Sequence, residues 1–159
     1  NNPNDIHLPH LLWFHAGNNS VNITSILGKD QLPSIKFLYV NGNPILKFPE
    51  TFTDLKDTVT YLGIARCGLF TLPPALSDFN LQYIDARNNN ISKLDVTFNE
   101  KVEQYFSGNP LCTSTLSNTD DSKCKPVCSK YCFSKNHDKN NYCDDSCNSK
   151  TCRYDGGNC

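Results

Sequence analysis

Five stretches of the chain can be laid over one another without a gap: LLWFHAGNNSV (11–21), IKFLYVNGNPI (35–45), VTYLGIARCGL (59–69), LQYIDARNNNI (81–91) and KVEQYFSGNPL (101–111). The shared pattern is apolar at unit positions 1, 4, 6 and 11 with Asn or Cys at 9, and successive units start 24, 24, 22 and 20 residues apart. A unit of this length cannot bury its apolar face alone, so neighbouring units must stack to build one core. Positions 4 and 6 alternate inward on a short strand, and position 11 closes the core from the turn. The amide at 9 satisfies backbone groups that the turn leaves unpaired. Asn19, Asn43, Asn89 and Asn109 fill this ladder and Cys67 takes the place in the third unit, which predicts a buried free thiol, the alternative being a reactive or intermolecular one.

This unit resembles the leucine-rich repeat, L-x-x-L-x-L-x-x-N/C-x-L. ILKFPETF (45–52) and LFTLPPAL (69–76) add the apolar residue and Pro that follow the unit in the typical class. The resemblance covers roughly residues 11–111 and implies an α/β-type solenoid, a short array of about five units with a parallel concave sheet, residues 1–10 forming an N-terminal cap. Departures lie mostly at the ends: Lys101 and Gln104 at positions 1 and 4 of the last unit, Ala16 and Ala86 at position 6, and Thr24 where the first unit should bury an apolar residue.

Positions 2, 3, 5, 7 and 8 then face outward. Position 3 runs Trp13, Phe37, Tyr61, Tyr83, Glu103, and position 5 runs His15, Tyr39, Gly63, Asp85, Tyr105. The result is an aromatic column on a surface expected to meet solvent, flanked by Lys36, Arg66, Arg87, Asp85 and Glu103. An exposed aromatic patch of this kind marks an interaction site, making Trp13, Phe37, Tyr39, Tyr61, Tyr83, Asp85 and Tyr105 the candidate ligand-binding set. The competing reading has IHLPHLLW (6–13) folded over part of the column, or the rings merely covering strand edges.

Composition breaks after residue 111. Eight of the nine cysteines fall between Cys112 and Cys159, in a stretch too poor in apolar residues for a packed core, which indicates a disulfide scaffold from an oxidising compartment. Sequons at Asn18, Asn22 and Asn90 fit an extracellular location, secreted or on a cell-surface ectodomain. A net charge of −1 with no Lys/Arg stripe argues against nucleic acid as a partner. No run approaches a membrane span and no apolar leader opens the chain, so the sequence reads as a processed or excised fragment, with membrane attachment only through a segment outside it.

From Cys128 the spacing is C-x3-C-x10-C-x3-C-x4-C-x6-C, ending in CNSKTC (147–152) and YDGGNC (154–159). These parts closely resemble the Lin-12/Notch repeat, a calcium-binding module of extracellular receptors and proteases. The resemblance implies bridges Cys128–Cys152, Cys132–Cys147 and Cys143–Cys159, a pairing the sequence alone leaves open. It also implies calcium ligands at Asp155, Asn140 and Asp138 and a carbonyl near Tyr142, with Asn158 standing where the family has its last carboxylate. Independently, a module below about 40 residues needs disulfides or a metal to hold it, and Asp138, Asn140, Asp144, Asp145, Asp155 and Asn158 supply hard oxygen donors. A generic cysteine knot, a zinc site or a module held by its bridges alone are the alternatives. Residues 112–127 read as a C-terminal cap or linker, in which a Cys112–Cys124 bridge would seal the last layer, and 128–159 as a module with little regular secondary structure.

Nothing in the sequence assembles an enzyme. His7, His10 and His15 lack a metal-site context, and no nucleophile, orienting base, phosphate loop or carboxylate pair is placed by the repeat geometry. The expected function is an extracellular recognition module, part of a receptor or a secreted binder, taking a protein, peptide or glycan on the aromatic face. A secreted inhibitor or effector, or the non-catalytic exosite region of a larger extracellular protease, are the alternatives.

Overall fold

The computed structural model of the protein describes residues 7–19, 27–28, 30–45, 47–112, 121–124, 148, 150 and 153–156. The chain divides into two compact units, Asn1–Lys123 and Cys124–Cys159.

In the first unit each of the five sequence repeats contributes one three-residue strand: β1 (Trp13–His15), β2 (Phe37–Tyr39), β3 (Tyr61–Gly63), β4 (Tyr83–Asp85) and β5 (Glu103–Tyr105). They form one parallel sheet in chain order, β1-β2-β3-β4-β5. The register is the repeat register, so Phe14, Leu38, Leu62, Ile84 and Gln104 lie side by side. The ladder runs past the strand ends. The position 6 N–H donates to the position 5 carbonyl of the next unit from Ala16 to Tyr39, Val40 to Gly63, Ile64 to Asp85 and Ala86 to Tyr105, at 2.8–3.0 Å. Phe106 continues the series by donating to the Lys123 carbonyl at 2.8 Å, so residue 123 stands beyond β5 where a further strand would.

The core lies behind the sheet. Ile35, Leu38, Val40, Val59, Leu62, Ile64, Ile84, Ala86, Ile91 and Phe106 are fully buried, so the assigned inward positions hold through the middle of the array. Behind them, 3-10 turns at Glu50–Leu55 and Pro74–Asp78 bury Phe52, Leu55 and Leu76. Phe52 packs on Phe48 and Phe79 with ring centroids 4.5 and 5.2 Å away. The last unit adjusts: Lys101 is exposed and its neighbour Val102 turns inward instead.

Position 9 does what its amide chemistry requires. Asn89 donates to the carbonyls of Ile64 and Ala86 (2.9 Å each) and accepts from the N–H groups of Cys67 and Leu69 (2.9 and 3.1 Å). Asn109 repeats this on Ala86, Phe106 and Ile91, and Asn43 on Ala16 and Val40. Cys67 is a buried free thiol whose Sγ lies 3.5 Å from the carbonyls of Val40 and Ala65, a weaker version of the same contact. Asn19 departs from the expected ladder. It is exposed and donates to the Gly17 carbonyl at 3.1 Å.

A second column escaped the sequence reading. Position 8 has a left-handed backbone in all five units: Asn18 (φ 59°), Gly42 (71°), Arg66 (55°), Asn88 (54°) and Gly108 (77°). The chain turns out of each strand here, and the position 8 N–H donates to the position 7 carbonyl of the next unit, at 2.7–2.9 Å from Asn18, Gly42, Arg66 and Asn88. Gly and Asn tolerate this region best. The Asn18 amide lies where a Cβ on Gly42 would be, and the Asn88 amide covers Gly108 in the same way.

In the second unit the described backbone includes one helical turn, α1 (Arg153–Gly156), with Arg153 and Tyr154 at φ 53° and 54°. Cys112 and Cys124 are both disulfide-bonded. Cys128, Cys132, Cys143, Cys147, Cys152 and Cys159 lie outside the described residues.

Candidate functional site

Because the strands are parallel and in register, equal positions line up across the sheet. Trp13 stacks on Phe37 with ring centroids 4.7 Å apart and planes 17° from parallel, and Phe37 stacks on Tyr61 at 4.7 Å and 20°. Tyr61 reaches Tyr83 at 6.1 Å and 26°, and Tyr83 passes the file to Tyr105 at 5.4 Å. Tyr39, one position along, tilts against Trp13 (6.0 Å) and Tyr83 (6.4 Å), and His15 meets its edge at 6.0 Å. Six of the seven candidate ligand-binding residues therefore belong to one connected group of rings on one face of the sheet.

The file is graded in exposure. Trp13, at the β1 edge, is 57% exposed; Phe37, Tyr39, Tyr61, Tyr83 and Tyr105 are half-buried. Residues 7–9 do not cross the described part of this face. The Leu8 N–H donates to the Gln31 carbonyl, Ser34 Oγ to the Pro9 carbonyl, and His7 Nδ1 meets the Asp30 carbonyl, so this stretch runs beside 30–34.

Asp85 corrects the sequence reading. Assigned to the solvent-facing surface, it is 1% exposed and held by Arg87, itself 3% exposed. Arg87 Nε donates to Asp85 Oδ1 at 2.8 Å, an Arg87 Nη donates to Oδ2 at 2.9 Å, and the Arg87 N–H adds a bond to Oδ1 at 3.1 Å. A bidentate pair satisfies both ions where water cannot. The guanidinium also lies 5.7 Å from the Tyr105 ring centre. The signal was present as Asp-x-Arg, since residues two apart on a strand share a face.

Burial sets the chemistry of the surrounding hydroxyls. It pushes the Tyr39 phenol up, with Tyr61 and Asp85 adding to the effect. Tyr83 is raised far more, again by burial first and then by the Asp85 charge. Burial and the neighbouring Glu103 carboxylate raise Tyr105 to about 12, the Glu103 oxygen lying 3.4 Å from its hydroxyl. Burial works against the Arg87 charge, but the hydrogen bond and charge of Asp85 outweigh it and raise its pKa. The Tyr61 hydroxyl donates to Gln82 Oε1 at 2.9 Å. At neutral pH this face therefore presents neutral phenols around a compensated ion pair.

Of the sequons, Asn18 and Asn90 are exposed and Asn22 lies outside the described residues. The calcium candidates Asp138, Asn140, Tyr142 and Asn158 also lie outside them, and Asp155 is described only as backbone within α1. Among the described residues no cluster of three or more His, Cys, Asp or Glu is placed to hold a metal, and no helix is long and apolar enough to cross a membrane. Compared with protein-family models, curated proteins and solved structures, the chain has no match.

Proposed function

We propose that the chain is an extracellular recognition module, a short leucine-rich-repeat array followed by a Lin-12/Notch-type calcium module, that holds a protein, peptide or glycan on the aromatic face of the array. The observation that carries this reading is the unbroken ring file from Trp13 to Tyr83 on a sheet face whose edge ring is 57% exposed. Aromatic rings supply large contact area at low entropic cost and are the commonest energetic anchors of interfaces. The five-unit register and the position 9 amides support the repeat assignment. In the tail, calcium would be held by Asp138, Asn140, Asp155 and Asn158 with a carbonyl near Tyr142, a donor set made of hard oxygens as that ion prefers. Bound calcium would supply folding stability to the module and no chemistry of its own.

The test is a binding screen of extracellular proteins, peptides and glycans against the wild type and the Tyr61→Ala/Tyr83→Ala double variant. A binder whose affinity falls by roughly 1 to 4 kcal/mol in the double variant, with the melt unchanged, supports the reading. A binder that ignores the double substitution moves the site elsewhere on the protein.

A further inference from the structure

We infer that the aromatic face takes an acidic, extended polypeptide segment whose carboxylates lie over β1–β3. The inference rests on the recognition reading above and specifies its partner.

The first ground is ring orientation. From Trp13 through Phe37 and Tyr61 to Tyr83 the planes lie 17°, 20° and 26° from parallel, so the rings turn their faces to one another. A ligand meets their edges. An aromatic edge is the positive end of the ring quadrupole and favours carboxylate and carbonyl oxygens. A sugar ring binds aromatics through their faces, and along this file the faces are covered; the outer face of Trp13 is the exception at the β1 edge.

Charge placement points the same way. The outward positions of the first three units carry Lys36, which is exposed, and Arg66, and no Asp or Glu. That segregation occurs in a chain with 16 acidic and 15 basic residues. Farther along, the Asp85 charge is matched by Arg87 and repels nothing. The next outward carboxylate is Glu103 on β5, at the opposite edge of the sheet. Like charges across an interface are costly, so the exposed Lys36 disfavours a basic segment over β1–β3 and favours an acidic one.

Length fits a polypeptide as well. Five strands at about 4.8 Å spacing make a strip roughly 19 Å long, which about six residues of extended chain span.

The experiment is selection of a displayed random-peptide library on the folded full chain, with the enriched pool sequenced and its peptides titrated against wild type, Lys36→Glu, Lys36→Gln and Tyr61→Ala. The expected pool has Asp and Glu in clear excess over Lys and Arg relative to the input. Its peptides bind about tenfold or more weakly to Lys36→Glu, shift less but in the same direction with Lys36→Gln, and weaken with added salt. A pool without acidic excess, no enrichment at all, or affinity unchanged in Lys36→Glu overturns the inference. Chondroitin sulfate oligosaccharides form a parallel arm: tighter binding of these than of any peptide, lost in Lys36→Glu, overturns the polypeptide assignment. Loss of binding in Tyr61→Ala without acidic excess removes only the charge inference. Binding that ignores Tyr61→Ala defeats the recognition reading itself.

Discussion

The ring of Tyr39 occupies the space that a side chain on Gly63 would need. The two residues are partners in the β2–β3 register, and a Cβ at 63 would fall inside van der Waals contact with Tyr39 Cδ1. The missing side chain lets Tyr39 lean across β3 to within 6.4 Å of Tyr83, joining the position 5 ring to the position 3 file.

Gly63→Ala should therefore displace Tyr39 without disturbing the ladder. The expected cost is about 1 to 3 kcal/mol, typical of overpacking. Denaturant melts give the cost, and near-UV circular dichroism reports the loosened rings. An unchanged aromatic spectrum would mean that Tyr39 is held in place by something other than this gap.

Leu62→Ala should cost more than Leu11→Ala. Leu62 is fully buried between two neighbouring layers, whereas Leu11 is partly buried in the first unit. The central truncation falls in the range of about 2 to 5 kcal/mol. Equal or reversed losses in paired melts would contradict the layer assignment.

The Asp85–Arg87 pair should show strong coupling. Either single alanine substitution strands a buried ion at a cost of about 3 to 5 kcal/mol, while Asp85→Leu/Arg87→Met leaves none behind and should melt closer to wild type. A double-mutant cycle measures the interaction. Additive losses would show that the two ions do not depend on each other.

Cys67 should make the fold sensitive to alkali. Burial raises its thiol from 9.0 to about 11, with backbone N–H groups of Asn43 and Gly42 opposing. The folded chain then holds this proton more tightly than the unfolded chain. Its stabilising contribution is complete below pH 9 and drains as pH rises toward about 11, a total of about 2 to 3 kcal/mol. Between pH 9 and 10 each of the raised phenols Tyr39, Tyr83 and Tyr105, with an ordinary value of 10.0, adds a smaller fall of its own. Stability should fall over that interval in wild type and fall clearly less steeply in Cys67→Ala. Rapid modification of the native protein by a bulky thiol reagent would contradict the burial.

Chelation should loosen residues 128–159 and spare the sheet, because an ion stabilises only the element that binds it. Asp155→Ala should mimic chelation, and Asn158→Asp should tighten binding by adding a carboxylate. Calorimetry with calcium and EDTA on the three proteins checks this. Absence of binding heat in wild type would contradict the calcium assignment.

Much of this molecule was legible because its information is periodic. Leu38, Leu62 and Ile84 announce the inward position by repetition, and once that register is set, Trp13, Phe37, Tyr61 and Tyr83 must align. The sequence was silent where an outcome depends on a partner in space. Asp85 looked exposed because its pattern position faces outward, yet Arg87 and the rings around it remove water and turn it into an internal ion. The left-handed column was missed because Asn, Gly and Arg share no polarity or size; what unites them is a backbone angle. At the start of the last unit Val102 is buried while Lys101 stays exposed, although β5 itself keeps the repeat register, so the swap is confined to the turn into the strand and no pattern of the other units announces it.

Trp13 is the single tryptophan of the chain, and it terminates the ring file with one face against Phe37. The protein thereby carries its own optical probe. Selective excitation of indole reads the β1 edge alone, so a ligand that covers the outer ring face should move the emission to shorter wavelength and hinder quenching by iodide, with no label attached.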